Sequence, residues 1–227
     1  MQGSPLDDDI LDFEAMYARA DGDADVIPWS HRAPHPLLVA WLDEAPMAAP
    51  FGSGRALVVA AGLGNDAEEL ARRGWRVTAF DGSPTAIAWA KRRSLTSTVD
   101  YHVAGLFALP SSWRGRFDLV VENRTIQSLP PDRHAAAVAA IADTVAPGGL
   151  LVAIAHGRDD AVPAEHRPWP LGRSELAEFT AYGFREQSFT DTWSTTTPDS
   201  GGKRPRLFRA VYERPPLESG TSRKGTP

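Results

Sequence analysis

The stretch Val58-Val59-Ala60-Ala61-Gly62-Leu63-Gly64-Asn65-Asp66 has the make-up of a loop that admits a ligand against bare backbone. Glycine tolerates positive φ and carries no side chain, so Gly62 and Gly64 allow close approach. An apolar run precedes the loop and a helical pattern follows it. That places the glycines where a strand turns into a helix whose first N–H groups still seek acceptors. Asp81 stands 19 residues beyond Gly62, at the end of a second apolar run. A carboxylate at that spacing suits hydrogen bonds from both hydroxyls of a ribose. Together these residues predict an adenosine-containing cofactor lying across strand ends. They leave its identity open, because Gly62-Leu63-Gly64-Asn65-Asp66-Ala67 also satisfies the dinucleotide pattern that ends in Ala.

A second group of residues has the chemistry to act on a bound acceptor. Asn123, Arg124 and Gln127 follow one apolar run, and His156 and Arg158 follow another. His156 has the side chain of a general base working near neutrality. Arg124 suits an anionic substrate, or an ion pair with Glu122 or Asp132. His31 and His35 sit near Trp29 in the N-terminal region, where substrate contact and simple packing are both open. Trp29, Trp169 and Trp193 would make an aromatic wall for a flat acceptor. Glu122 with Asp159 and Asp160 has the ligand types for Mg²⁺, but acidic loop residues are usually solvated and no metal is expected.

The elements that must position these groups alternate strand and helix, the order of a parallel α/β sheet. Strands are expected at Ala56–Ala60, Trp75–Phe80, Val99–Val103, Phe117–Val121 and Leu150–Ala155. Helices are expected at 66–73, at Pro84–Arg93 with proline in its first turn, and at 132–145. Pro147-Gly148-Gly149 would stop the last of these. A helix over Ser174–Tyr182 then leads to two strands, Phe184–Trp193 and Leu207–Tyr212, read as a hairpin. Ile10–Ala18 and Leu37–Leu42 are two short helices at the front. The expected division is an N-terminal helical lid over 1–50, a cofactor-binding domain over 51–214 and a disordered polar tail over 215–227.

Composition narrows the function classes. With 42% hydrophobic and 23% charged residues, the 227-residue chain is ordinary for one globular domain. A formal charge of -5 and the lack of a basic run argue against a nucleic-acid partner. No apolar stretch approaches the roughly 20 residues of a membrane span, and no secretory leader is read at the acidic N-terminus, so the expected location is cytoplasmic. The chain has no cysteine, which excludes disulfides, thiolate nucleophiles and zinc–thiolate sites.

Four segments in this order resemble the class I methyltransferases that use S-adenosylmethionine (SAM), and within them the thiopurine and halide/thiol methyltransferase-like branch. They are Pro28-Trp29-Ser30 through His35-Pro36-Leu37; the Gly62/Gly64 loop with Phe80-Asp81-Gly82-Ser83-Pro84; Phe117-Asp118-Leu119-Val120-Val121-Glu122 with Leu129-Pro130-Pro131; and Ala146-Pro147-Gly148-Gly149. The resemblance implies a Rossmann-like α/β fold, with a seven-stranded sheet in the order 3-2-1-4-5-7-6 and strand seven antiparallel. It implies that Asp81, with Gly82 and Ser83, holds the SAM ribose, and that Ala60, Gly62 and Gly64 pass the methionine part. Gly105 and Leu106 would face the adenine, Glu122 and Asn123 the reactive end, and Trp29 would cover the cofactor. Relatives often carry an acid where Val58 stands, glycine at Ala60 and Asp at Gly105. The expected activity is methyl transfer to O, N or S of a small molecule, with Asn123, Arg124 and His156 as catalytic candidates. A non-catalytic SAM binder and an NAD-dependent oxidoreductase are the alternatives.

Overall fold

The computed structural model describes residues 5–30, 32–44, 54–195 and 204–217, with the side chains of 5–12 left aside. His31 and the tail from residue 218 lie outside the described residues. The seven strands are β1 (Arg55–Val59), β2 (Arg76–Asp81), β3 (Asp100–Val103), β4 (Phe117–Asn123), β5 (Val145–His156), β6 (Arg185–Trp193) and β7 (Arg206–Glu213). They form one sheet in the order β3-β2-β1-β4-β5-β7-β6, with β7 antiparallel to both its neighbours and the other pairings parallel. This is the Rossmann-like seven-stranded order that the resemblance implies.

Strands buried on both faces need continuous apolar runs rather than alternation. Ala56–Val59 and Leu119–Val121 supply them, and all are buried. On one face Val120, Leu151 and Ala153 pack against Val138 and Ile141 of α5 (His134–Thr144) and against Phe179. On the other face Val58, Val121 and Val152 meet α2 (Pro36–Glu44), α3 (Asn65–Arg72) and α4 (Pro84–Arg93). Leu38 and Leu42 of α2 are each at most 4% exposed, and burying a leucine this fully is worth about 1.5–3 kcal/mol. Helix α1 (Pro5–Ala20) packs on α4, with Tyr17, Ile27, Ala86 and Trp89 in a separate small core.

Two expected elements differ. Strand β5 begins at Val145, not Leu150, because Val145 pairs with Phe117 before the register shifts and resumes at Leu150 with Leu119. Gly149 makes that detour possible: a Cβ there would lie 2.8 Å from the Ala146 carbonyl and 2.9 Å from that of Phe117. The helix expected over Ser174–Tyr182 is α-helical only as α6 (Arg173–Ala177) and continues as a 3₁₀ turn over Glu178–Tyr182. It ends at Gly183, whose φ of 83° needs glycine. Among the described residues no helix is long and apolar enough to cross a membrane.

Candidate cofactor and acceptor site

The carboxyl ends of β1, β2 and β4 open on a cavity of about 220 Å³, at the point where the strand order turns back on itself. That is the place an open α/β sheet offers a ligand. Chain geometry there departs from the ordinary. Ala60 has φ 44°, Gly62 φ 52° and Arg124 φ 65°, so the turns after β1 and β4 both use the left-handed region. Non-glycine residues rarely hold it, and they concentrate at functional sites.

Asp81 ends β2 and is almost fully buried. Its Oδ2 accepts the Gly62 N–H (2.9 Å) and its Oδ1 the Ser83 N–H (2.9 Å). Burial raises its pKa above the ordinary carboxylate value despite these two bonds, and the nearby Glu14 adds to the rise. Each oxygen keeps acceptor capacity for a further donor. Gly82, Ser83, Gly105 and Leu106 continue this wall.

The opposite wall comes from the ends of β1 and β4. Asp66, in the first turn of α3, accepts the His35 N–H (2.7 Å) on Oδ1 and the Asn123 Nδ2 (2.8 Å) on Oδ2. Arg124 Nη2 lies 3.0 Å from His35 Nε2, and His35 Nδ1 accepts the Leu37 N–H (3.2 Å). Burial lowers the Arg124 pKa, partly offset by Asp66. Ser128 and Leu129 close this side. Leu129 is held from behind, its carbonyl 3.0 Å from His134 Nε2, while His134 Nδ1 lies 3.1 Å from Glu175.

The roof is aromatic. Trp29 donates its indole N–H to the Tyr17 hydroxyl (2.8 Å) and stands edge-on to both Tyr17 and Phe13. Glu14 ties α1 down, accepting from the Ser83 and Thr85 hydroxyls and the Thr85 N–H. From the other side, the Arg167 guanidinium stacks 5.1 Å over Phe13 and 5.5 Å over Trp169.

Of the expected residues, the cavity brings together Trp29, Ala60, Gly62, Asp81, Gly82, Ser83, Gly105, Leu106, Asn123 and Arg124. Three others lie outside its wall. Gly64 caps α3 facing away, where a Cβ would strike the Tyr101 hydroxyl. Glu122, on β4, is fully buried, its Oε1 accepting the Thr125 and Ile126 N–H groups. His156 is fixed through its N–H by the Gln127 side chain, on the β5 side. Gln127 also accepts the Trp169 N–H on its carbonyl, so it braces loops rather than facing the cavity. The acids considered for Mg²⁺ are dispersed: Asp159 pairs with Arg206, and Asp160 binds Ser174. Trp193 is 59% exposed on the edge strand β6 and belongs to no wall.

Glu14, Tyr17, Phe13 and Asp66 belong to no motif that marks them in the sequence as part of the site. Phe13 and Tyr17 share the i, i+4 spacing of one helix face, the single local sign of their common role.

Residues 56–149 match the family described as a methyltransferase domain. The chain is 27% identical over 160 residues to the 2-heptyl-1-hydroxyquinolin-4(1H)-one methyltransferase of Mycobacteroides abscessus, covering 68% of this chain and 66% of that one. It is 34% identical over 119 residues to the ubiquinone biosynthesis O-methyltransferase of Xylella fastidiosa, covering 52% and 48%. The chain therefore spans just under two thirds and about half of the length of these two relatives. The chain superposes on the N-methyltransferase NodS from Bradyrhizobium japonicum WM9, in complex with S-adenosyl-L-homocysteine, with a TM-score of 0.68 and 20% identity. That match covers 91% of this chain and 98% of NodS.

Proposed function

We propose that the protein is a SAM-dependent methyltransferase acting on a small, flat acceptor that carries an ionisable O–H, N–H or S–H. The observation that carries this is Asp81, held by Gly62 and Ser83 at the end of β2 inside a matched methyltransferase domain. Bound SAM supplies a methyl group on a sulfonium, whose displacement requires no protonation of the departing sulfur. The chain's task is then to hold, align and exclude water.

Asp81 accepts the ribose hydroxyls, the backbone at Gly105 and Leu106 lines the adenine, and the Ala60–Gly64 turn passes the amino-acid end. Phe13, Tyr17 and Trp29 form a lid within residues 1–50 that keeps water from the reacting atoms. Asn123 and Arg124 end β4 at the reactive centre. Arg124 is the permanent cation among the described cavity residues, so it favours the anionic form of an acceptor and lessens the need for a base. His156 takes no direct part in this reading. The lid supports placing the protein in the thiopurine and halide/thiol methyltransferase-like branch. The hydroxyquinolinone in the name of one relative agrees with a planar acceptor.

A dinucleotide is disfavoured at the same cavity. Its diphosphate would approach the N-terminus of α3, where Asp66 and Glu68 occupy the first turn. Incubation with SAM and a panel of planar phenols, N-hydroxy heterocycles and aryl thiols, read by mass spectrometry, tests the reading. Methylated product from at least one acidic acceptor, reduced tenfold or more by Arg124→Met, is expected. SAM binding with no turnover across the panel would favour a non-catalytic binder.

A further inference from the structure

We infer that His134 is a positioning residue for the acceptor side of the cavity, an imidazolium that ties the Leu129 wall to Glu175. The inference rests on the reading that the Ser128 and Leu129 side receives the acceptor. His134 is buried at the start of α5. Its Nε2 lies 3.0 Å from the Leu129 carbonyl oxygen and its Nδ1 3.1 Å from Glu175 Oε1. A carbonyl oxygen only accepts, and so does an ionised carboxylate. A neutral imidazole has one N–H and satisfies one of the two. Both bonds form together only when both ring nitrogens carry protons.

Glu175 has the surroundings of an ionised group. Its Oε2 accepts from Arg158 Nη2 and from the Gly172 N–H. Burial pushes its pKa up, but the bonds from His134 and Gly172 and the charges of Arg158 and His134 hold it below the ordinary carboxylate value. A buried cation needs a paired charge. The charged groups around the ring are Glu175 of α6, Glu122 of β4 and, across Glu175, Arg158. Arg158 also donates to the carbonyls of Pro170, Asp159 and Asp160, while Glu175 Oε1 turns to the His134 ring.

The bridge acts on the loop after β4, where Arg124, Thr125, Ser128 and Leu129 line the cavity. Glu122 holds that loop at the Thr125 and Ile126 N–H groups, and His134 holds its far end at Leu129. Through Gly172, Glu175 extends the hold to the segment carrying Trp169, whose N–H donates to the Gln127 carbonyl of the same loop.

Long-range proton–nitrogen NMR of protein labelled with nitrogen-15 histidine reports the ring protons directly, with His134→Gln to assign the signal. At about pH 7 both His134 nitrogens should carry protons in the wild type, and Glu175→Gln should strip one of them. A wild type with one bare ring nitrogen overturns the inference, and so does a Glu175→Gln protein that keeps both protons. Amide hydrogen exchange over residues 125–130 should quicken about tenfold in His134→Ala, with residues 117–122 unchanged. His134→Gln keeps an amide donor for the Leu129 carbonyl and should quicken less. Unchanged exchange at 125–130 in both variants also overturns the inference; if His134→Ala does not fold, the wild-type NMR and His134→Gln decide. S-adenosylhomocysteine affinity should stay within about twofold in His134→Gln, because the two sites share no partner. A larger loss would place His134 with the cofactor and overturn its assignment to the acceptor side. A wild type that binds no S-adenosylhomocysteine contradicts the cofactor reading instead, since the NMR and exchange results need no ligand.

Discussion

The Tyr17 hydroxyl lies 2.9 Å from where a Cβ on Gly62 would sit, so α1 rests directly on the turn after β1. The contact joins residues 45 positions apart, one on α1 and one in the turn after β1. It makes Gly62 necessary twice, for its φ of 52° and for the space above it.

Gly62→Ala should therefore lower stability by about 1–2 kcal/mol from the left-handed backbone alone, with further loss from the clash. Adding Tyr17→Phe removes the hydroxyl and should recover part of the loss. Thermal denaturation of the two single variants and the double variant measures the coupling. Strict additivity would mean that α1 does not rest on the turn.

Glu14 anchors α1 through a carboxylate whose pKa is lowered: burial pushes it up, but the bonds from Ser83 and Thr85 outweigh that effect. A lowered carboxyl pKa adds stability that is present above the unfolded value and is lost as pH falls through the folded one. The hold of α1 on the sheet should thus loosen as pH falls below the ordinary carboxylate range, seen as faster proteolysis near the N-terminus. Glu14→Ala should show that cleavage at neutral pH while the sheet domain stays folded.

Glu122 behaves in the opposite sense. Full burial raises its pKa to about 7, against the Ile126 and Thr125 N–H groups and His134. The folded state then binds a proton that the unfolded state releases, so stability falls as pH rises from about 4.5 to 7. Glu122→Gln should flatten this slope and raise stability at pH 8 by about 2–3 kcal/mol. Urea midpoints across pH 5–8 test it; parallel slopes in both proteins would contradict the assignment.

Legibility in the sequence followed the range of the interactions. The Gly62 turn and Asp81 announce themselves through glycine spacing and apolar runs, because strand, turn and helix are local. The order of the sheet and the antiparallel β7 came through the resemblance, since pairing between distant strands leaves no local mark. Val145 was read as the end of α5 because the bulge at Gly149 that lets β5 start early depends on contact with Phe117. The roles of Glu14 and Asp66 were hidden for the same reason: their partners Ser83 and His35 are remote in sequence. His156, at the end of β5, has the side chain of a base, yet the cavity lining does not include it.

Asp81→Ala should weaken S-adenosylhomocysteine binding by about ten- to a hundredfold, the scale of losing hydrogen bonds to a charged acceptor. Circular dichroism should remain that of the folded protein. Unchanged affinity would remove the ribose from Asp81.

The central claim is the identity of the cofactor, and parallel calorimetric titration of the wild-type protein with S-adenosylhomocysteine and NADH tests it most directly. Saturable binding of S-adenosylhomocysteine at micromolar concentration is expected, with no heat of binding from NADH. Binding of NADH with S-adenosylhomocysteine silent would contradict it.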